Sequence, residues 1–198
     1  PLYSSAASDV YKRQLLGLGN PGRRYARTRH NVGFKVAEAV VQTLDGRFSH
    51  SGYGCRLAPC ELDGGPLLVA EPTTYMNLSG EAAKSLVVGL GVDPACMLVV
   101  CDDVDLPLGR LRIRASGGAG THNGMRSIVG LLETERFPRL RLGIGAHEPP
   151  WDLAEFVLSP FSPDELEKVE QMVERAKNAA LCFFRDGLES AMNLFNGD

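Results

Sequence analysis

The chain predicts a single-domain, three-layer α/β/α fold with a mixed, mainly parallel, twisted central sheet. The first observation is length, because 198 residues suffice for one sizeable core and fall short of two comfortable domains. The second is an alternation of short apolar runs with segments whose apolar residues recur at helical spacing. The third is that polar motifs follow apparent strands, and open α/β sheets bind ligands at the carboxyl ends of their strands.

Short apolar or alternating runs bounded by turn residues predict the strands. In chain order these runs are 15–19, 52–62, 66–71, 97–101, 110–114 and 140–144. The second and third runs are separated by Asp63, Gly64 and Gly65, which predicts a tight turn between paired strands. Asn20 and Asp102 each come shortly after a predicted strand end, which is the first indication of a shared site.

Apolar residues at intervals of three and four predict the helices. They cover 32–44, 78–91, 123–132 and 164–184, and a short helix to Phe195 follows. Gly91 is expected to end the second helix. The long fourth helix is entered through Ser162 and Pro163, and Glu165 stands where a capping box requires an acidic side chain. A glycine loop over 115–121 leads into the third helix.

Residues 14–198 are predicted to form one domain, and residues 1–13 a leader that is non-native or disordered. The leader lacks an initiator Met, an apolar core and any periodicity. No apolar run reaches the length of a membrane span, so no membrane partner is expected. The cysteines are odd in number and include no Cys-x-x-Cys pair, which predicts a reduced, cytoplasmic protein and argues against a zinc site.

The net charge of −3 conceals an uneven distribution. Residues 11–35 contain seven Lys and Arg and no acid, whereas residues 152–198 contain ten acids and four bases. Arg110, Arg112 and Arg114 alternate along a predicted strand, so they point to one face. That face is either an ordinary solvated surface or a clamp for phosphate oxygens. No base-reading motif accompanies it, so any nucleic acid would be held mainly through its backbone.

Five short motifs place polar side chains beside turns at positions distant in sequence. They are Gly-Leu-Gly-Asn-Pro-Gly at 17–22, Arg-His-Asn-Val-Gly at 29–33, Tyr-Met-Asn-Leu-Ser-Gly at 75–80, Asp-Asp-Val-Asp-Leu-Pro at 102–107 and Thr-His-Asn-Gly at 121–124. Each alone is compatible with an ordinary turn, since Asn and Gly are common turn residues. Together they indicate one site in which neutral amides, an imidazole and a carboxylate bind amide or hydroxyl groups and perform proton chemistry.

Two other interpretations of these motifs are disfavoured. The first motif satisfies Gly-x-Gly-x-x-Gly, a dinucleotide-binding fingerprint, but Pro21 removes a backbone N–H that a pyrophosphate cradle needs. The next helix also begins well after Gly22, behind an arginine-rich segment, which argues against an oxidoreductase. Asp103 and Asp105 could mimic a metal-binding cluster, but a Leu-Pro turn follows them and no second carboxylate group accompanies them.

In order and spacing, the five motifs resemble those of bacterial peptidyl-tRNA hydrolase. The resemblance runs from about Leu15 to the chain end and includes Gly-Ile-Gly at 143–145 and Phe-Val-Leu-Ser-Pro-Phe at 156–161. It implies a carboxylic ester hydrolase that cleaves the ester between peptide and tRNA in peptidyl-tRNA and so returns tRNA to translation. It further implies a cytoplasmic, mostly monomeric enzyme without metal or cofactor, whose partner is peptidyl-tRNA, held at its acceptor end and phosphates.

The resemblance also implies roles for particular residues. His30 corresponds to the general base and Asp102 to the carboxylate that supports it. The positions implied to contact substrate are Asn20, Tyr25, Tyr75, Asn77 and Asn123. The positions implied to hold tRNA phosphates are Arg112, Arg114 and Arg141. His122 is interpreted as a residue that supports its loop, and the chain carries Ala119 where the family often has His.

A non-catalytic RNA-binding protein on the same scaffold is the main alternative. Such a protein would keep the arginines and lose the imidazole or its carboxylate, and the presence of both His30 and Asp102 favours the enzyme. Peptidyl-tRNA carries a neutral acylated amine, whereas aminoacyl-tRNA carries an ammonium. We therefore expect Asn20 and Asn77, aided by Asn123, to distinguish the two.

Overall fold

In the computed structural model, which describes residues 12–145 and 152–197, seven strands form one sheet with helices on both faces. The strands are β1 (Gln14–Gly17), β2 (His50–Gly52), β3 (Cys55–Leu62), β4 (Gly65–Pro72), β5 (Met97–Pro107), β6 (Leu111–Arg114) and β7 (Arg139–Gly145). Their order is β2-β3-β4-β1-β5-β7-β6. Parallel pairs β4–β1, β1–β5 and β5–β7 form the centre, and antiparallel pairs lie at both edges. The predicted mixed α/β sheet is confirmed, with its parallel pairs at the centre.

The helices cover both faces of this sheet. Within the described ranges they are α1 (Val32–Thr43), α2 (Ser79–Leu90), α3 (Asn123–Leu132), α4 (Leu153–Leu158) and α5 (Leu166–Phe195). α1 and α5 contribute residues such as Val36 and Met172 to one apolar cluster. α2 and α3 contribute Leu86 and Ile128 to a second cluster on the opposite face. The three-layer arrangement follows, and no helix of the described chain is long and apolar enough to cross a bilayer.

β5 is longer than the sequence predicts. It continues past Cys101 because Asp102 and Asp103 pair with Leu142 and Gly143 of β7, and the register shifts only between Asp103 and Pro107. The expectation that Asp102 follows a strand end is therefore wrong, and it lies within β5. The error has a physical reason, since ladder hydrogen bonds to a neighbouring strand sustain this segment although its side chains are no longer apolar.

α4 is a short helix that the sequence analysis did not predict. The side chain of Asp152 caps it by accepting from the backbone N–H groups of Ala154 and Glu155. Six residues are too few for helical periodicity to be recognised in the sequence. The helix packs beside the turn that carries His30, through the contact of Phe156 with Arg29.

α5 is broken at Gly187, which divides it into the two C-terminal helices that the sequence predicts. Gly187 adopts a φ of 86° and marks the junction, since this backbone conformation is readily available only to glycine. At the other end, the Ser162 N–H donates to Glu165 Oε2 at 2.8 Å. This hydrogen bond is one half of the predicted capping box.

The predicted leader lies mostly outside the described residues, which begin at Lys12, and it stays a prediction. Its last residue, Arg13, is attached to the domain: Nη2 donates to the Leu62 carbonyl at 2.9 Å and Nε to the Pro66 carbonyl at 3.1 Å. β1 begins at Gln14, directly after Arg13.

α1 begins in close contact with the centre of the sheet. A Cβ atom added to Gly33 would lie 2.4 Å from the Leu18 carbonyl oxygen and 2.5 Å from that of Val100. A Cβ added to Gly17 would lie 2.5 Å from the carbonyl oxygen of Gly33. Only glycine permits this approach, which brings the turn preceding α1, and with it His30, onto the ends of the central strands.

Candidate active site

His30, Asp102 and His122 form a cluster at β5, in which His30 and Asp102 are buried and His122 is partly buried. His30 Nδ1 lies 2.8 Å from Asp102 Oδ1, and His122 Nε2 lies 3.0 Å from the same oxygen. The centroids of the two imidazole rings are 4.9 Å apart. Asp102 is 3% exposed and His30 7% exposed. One carboxylate oxygen therefore anchors two imidazoles in surroundings largely closed to water.

The hydrogen-bond partners assign the tautomers of both imidazoles. An ionised carboxylate only accepts, so His30 donates from Nδ1 and His122 donates from Nε2. His122 Nδ1 accepts from the Met125 N–H at 3.2 Å and thereby caps α3. Both nitrogens of His122 are engaged, whereas no hydrogen bond joins His30 Nε2 to any described residue. His30 Nε2 is the available base of this cluster.

Asp102 is held in its ionised form. Burial raises the pKa of Asp102, but electrostatic attraction and hydrogen bonds from His122 and His30 outweigh burial and hold the pKa well below its ordinary value. An acceptor that stays ionised stabilises the imidazolium formed when His30 takes up a proton, and it keeps the ring in one tautomer. The cluster is therefore arranged for general-base chemistry at His30 Nε2.

Arg29 anchors the turn that carries His30. Its guanidinium donates to the two carboxylate oxygens of Glu165 at 3.0 and 2.6 Å. It also lies 4.5 Å from the ring centroid of Phe156, on α4, and 4.6 Å from that of Phe161. Because Arg29 is buried, water and salt screen this bidentate pair little. The contacts hold α4 and the start of α5 against the residue preceding the imidazole.

Asn20 is fixed in orientation on the loop after β1. Its Oδ1 accepts from the Met76 N–H at 2.8 Å. Its backbone N–H donates to Asn31 Oδ1 at 2.9 Å, and its carbonyl accepts from Asn31 Nδ2 at 3.0 Å. Because Oδ1 is already engaged by a donor, Asn20 has its Nδ2 hydrogens available for a ligand. Asn20 thus acts as a donor, and the amide can be assigned without ambiguity.

A cavity of about 520 Å³ adjoins His30 and Asn20, and we call it the amide cavity. Its lining brings together all five positions implied to contact substrate: Asn20, Tyr25, Tyr75, Asn77 and Asn123. Tyr25 and Tyr75 meet edge to face, with ring centroids 6.3 Å apart. Ala154, Val157 and Leu158, from α4, form an apolar part of the wall. Amides, aromatic rings and an apolar face suit a peptide-like ligand.

A second cavity, of about 650 Å³, borders the same imidazole, and we call it the arginine cavity. Its lining includes His30 and Asp102, residues 116–122 of the glycine loop, and the side chains of Arg114, Arg139 and Arg141. His30 and Asn123 line both cavities, so the two spaces meet at the proposed base.

The three arginines implied to bind phosphate differ in their surroundings. Arg114 is exposed and lines the arginine cavity. Arg141 lines it as well, but its guanidinium forms an ion pair with Asp103. Arg112 lies opposite Arg141 across the β6–β7 pair, on the same face of the sheet but outside the cavity lining. Of the three, Arg114 is the most available to an anion at this cavity.

Arg139 is a buried arginine that the sequence analysis did not single out. Its guanidinium donates to the carbonyls of Gly117, Gly118 and Glu135, and it lies 4.3 Å from the ring centroid of Phe137. It therefore ties the glycine loop, which leads to His122, to the sheet. The alternation of Arg139 with Arg141 along β7 was the available signal, because residues two apart on a strand share a face.

Asn31 and His122 make contacts that the sequence does not indicate. Asn31 stands within a motif identified in the sequence, but its role in orienting Asn20 depends on a contact between separate loops. His122 supports its loop as interpreted, and it also donates to Asp102, which the sequence did not indicate. No local pattern encodes either contact.

His30, Asp102 and His122 are also the described residues whose ligand atoms could together hold a metal ion, because these atoms lie within 4.8 Å of one another. His30 Nδ1 and His122 Nε2, however, already donate to Asp102 Oδ1. Asp103, which with Asp105 was considered as a metal-binding pair, has other partners. Its carboxylate accepts from the backbone N–H of Asp105 at 2.9 Å and forms an ion pair with Arg141.

Comparisons of sequence, family model and structure each find peptidyl-tRNA hydrolases. Residues 14–198 match the family model described as peptidyl-tRNA hydrolase. A peptidyl-tRNA hydrolase from Roseiflexus castenholzii is 48% identical over 183 residues, which are 92% of this chain and 86% of that protein. One from Chloroflexus aurantiacus is 46% identical over 183 residues, 92% of this chain and 97% of that protein. The crystal structure of peptidyl-tRNA hydrolase from Acinetobacter baumannii has a TM-score of 0.87 at 28% identity, covering 93% of this chain and 94% of that one.

Proposed function

The chain belongs to the peptidyl-tRNA hydrolase family, and we propose that it hydrolyses the ester that joins the peptide to the terminal ribose of peptidyl-tRNA. The products are a free peptide and a tRNA that translation can reuse. One observation carries the proposal: His30 donates from Nδ1 to a buried, ionised Asp102, and its Nε2 is available where the two cavities meet.

The proposed reaction uses water as the nucleophile. His30 Nε2 takes a proton from water while the water oxygen attacks the acyl carbon of the ester. The tetrahedral intermediate collapses by breaking the bond between the acyl carbon and the ribose oxygen, and the imidazolium returns the proton to that oxygen. Asp102 stabilises the imidazolium in both steps. Imidazole suits this role because it titrates near neutral pH.

Asn20 supports the selection of blocked over free amines. Its available Nδ2 donor matches the carbonyl oxygen of an acylated amine. The ammonium of aminoacyl-tRNA carries only donors, so it offers nothing to Asn20 and leaves that amide unpaired. We propose that Asn77 and Asn123, which line the same cavity, complete the recognition of the peptide bond.

The RNA is proposed to lie on the side of the arginine cavity. Arg114 would contact phosphate directly, and Arg112 and Arg141 would add charge on the same face of the sheet. Tyr25 and Tyr75 are proposed to flank the acyl end of the substrate in the amide cavity. Imidazole and carboxylate supply the proton chemistry, so the proposed reaction needs no metal or cofactor.

We further propose that the protein acts in the cytoplasm as a monomer. Its substrate arises from translation, and its five cysteines are free thiols, as expected of a reduced compartment. Every side chain named in the site comes from a single chain, so the proposed chemistry needs no second subunit.

The test is hydrolysis of an N-acetyl-aminoacyl-tRNA by the purified protein in the presence of a strong chelator. We expect His30→Ala to lower the rate about 10²- to 10⁴-fold, the usual contribution of a positioned general base. His50→Ala is the matched control, because His50 lies on the short edge strand β2 and should not affect the rate.

Circular dichroism and the urea midpoint of unfolding establish that both variants are folded. Near-normal turnover by folded His30→Ala would contradict the proposal. A wild-type protein that binds tRNA and hydrolyses nothing would favour the non-catalytic RNA-binding alternative.

A further inference from the structure

Three arginines that are close in sequence, of which Arg24 lines the amide cavity, are not used by the function proposed above. Arg23, Arg24 and Arg27 are all exposed, and they belong to the segment 11–35, which contains no acidic residue. None of the three forms an ion pair with any residue in the described ranges. They are distinct from the arginines of the arginine cavity.

Arg24 forms part of the cavity wall. Its guanidinium lies 4.5 Å from the ring centroid of Tyr25, which in turn meets Tyr75 edge to face. All three residues line the amide cavity. Apart from the titratable His30, Arg24 is the only charged side chain among the described residues of this lining, and no carboxylate lines it. The stacked guanidinium therefore presents an uncompensated positive charge to a ligand in this space.

The geometry of the site indicates which part of the substrate meets Arg24. The scissile ester must lie at His30, where the two cavities meet. The acidic RNA backbone suits the cavity that contains Arg114, and the acylated amine suits the cavity that contains Asn20. A peptide bound in the amide cavity therefore occupies the space that Tyr25, Tyr75 and Arg24 also line.

We propose that Arg24, with Arg23 and Arg27 beside it, favours peptidyl-tRNAs whose peptide carries an acidic side chain close to the ester. The ligand of this cluster is thus a peptide carboxylate. The inference rests on the proposed function, because it assigns a preference within the same reaction. An exposed ion pair of this kind gives a preference of about two- to fivefold, which salt screens.

The experiment compares three N-acetyl-dipeptidyl-tRNAs that share the tRNA and the esterified residue and carry Glu, Gln or Lys at the preceding position. For the wild-type protein we expect kcat/KM to follow the order Glu, Gln, Lys, mainly through KM. The Glu-to-Gln ratio should be about two to five at low salt and approach one as salt increases.

Variants locate the preference. Arg24→Gln should bring the Glu-to-Gln ratio of kcat/KM to one, and Arg24→Lys should retain most of the wild-type preference for Glu. The triple change of Arg23, Arg24 and Arg27 to Gln should also raise kcat/KM of the Lys substrate to that of the Gln substrate. Arg47→Gln is the control, because Arg47 is exposed beyond the end of α1 that is farthest from His30. It should leave all three rates unchanged.

Each other outcome overturns the inference. Equal hydrolysis of all three substrates by the wild-type protein would refute the preference and leave the proposed function standing. An equal loss on all three substrates in Arg24→Gln would show that the cluster contacts RNA. Absence of hydrolysis of every substrate by the wild-type protein would refute the proposed function itself.

Discussion

Replacing Asp102 with Asn removes the negative charge from the His30–Asp102–His122 cluster and preserves the shape of the side chain. In the wild-type protein one oxygen accepts from both imidazoles, at 2.8 and 3.0 Å. Two N–H donors face this position, so we expect the amide oxygen of Asn, and not its NH₂ group, to occupy it. The base then keeps its tautomer but loses the charge that stabilises its protonated form.

The magnitude follows from the type of hydrogen bond that is lost. A hydrogen bond to a charged group contributes about 1.5–3 kcal/mol, and a neutral one contributes about 0.5–1.5 kcal/mol. The difference is about 1–1.5 kcal/mol, which at about 1.4 kcal/mol per tenfold change corresponds to about 5- to 12-fold in rate. Asp102→Asn should therefore be less severe than His30→Ala, which removes the base altogether.

The assay is a single-turnover measurement, with the protein in saturating excess over N-acetyl-aminoacyl-tRNA, so that the chemical step is observed. Asp45→Asn is the matched control, because Asp45 is exposed and has a φ of 51°, a conformation that Asn also tolerates. A wild-type rate for Asp102→Asn would refute the support assigned to this carboxylate. A loss as large as that of His30→Ala would refute the idea that the base survives the substitution.

Three further predictions concern other parts of the molecule. Asn20→Asp keeps the acceptor for the Met76 N–H but replaces the available donor with a carboxylate oxygen. The rate of hydrolysis of free aminoacyl-tRNA relative to that of N-acetyl-aminoacyl-tRNA should therefore increase about tenfold. An unchanged ratio of the two rates would contradict the donor role of Asn20. Arg114→Gln should raise KM with little change in kcat and reduce the slope of log KM against log salt by somewhat less than one, and a pure kcat effect would exclude a phosphate contact. Burial raises the pKa of Glu71 to about 8 from its ordinary 4.5, although Arg56 lowers it. The folded protein therefore holds a proton that the unfolded chain releases between these values, so the free energy of unfolding should fall as pH rises from about 4.5 to about 8. Glu71→Gln should flatten this dependence in urea unfolding experiments, and a fall equal to that of the wild-type protein would exclude Glu71 as its source.

Much of the fold is encoded locally, in patterns that a single segment displays. The helix predicted over 123–132 is observed with those bounds, and the one predicted over 32–44 ends one residue earlier. β5 is an element whose full length local patterns do not predict, because its continuation through Asp102 depends on hydrogen bonds to β7 and not on the side chains of its own residues. The sequence pattern does not predict α4 either, since the position of its six residues depends on the contact of Phe156 with Arg29.

The candidate site likewise has features that the sequence predicts and contacts that it does not. The motifs contain the groups that the structure brings together, and six residues from four of those motifs line the amide cavity. The sequence did not distinguish Arg114, which is available, from Arg141, which Asp103 engages. Nor did it indicate that Arg139 holds the glycine loop in place through backbone carbonyls. A guanidinium has the same local signature in each of these roles, because its partner comes from elsewhere in the chain.

The chemical groups of this protein, and most of the helices and strands that carry them, follow from the sequence alone. The reason is that residue type and periodicity are properties of short segments. Which atoms of these groups are engaged, and which remain available, depends on the tertiary structure. His30 and His122 both bond to Asp102, across separations of 72 and 20 residues, and only His122 also caps a helix, so the second ring nitrogen is available in His30 alone. Hydrogen-bond direction and protonation depend on a group's neighbours in space, and folding supplies those neighbours from distant parts of the chain.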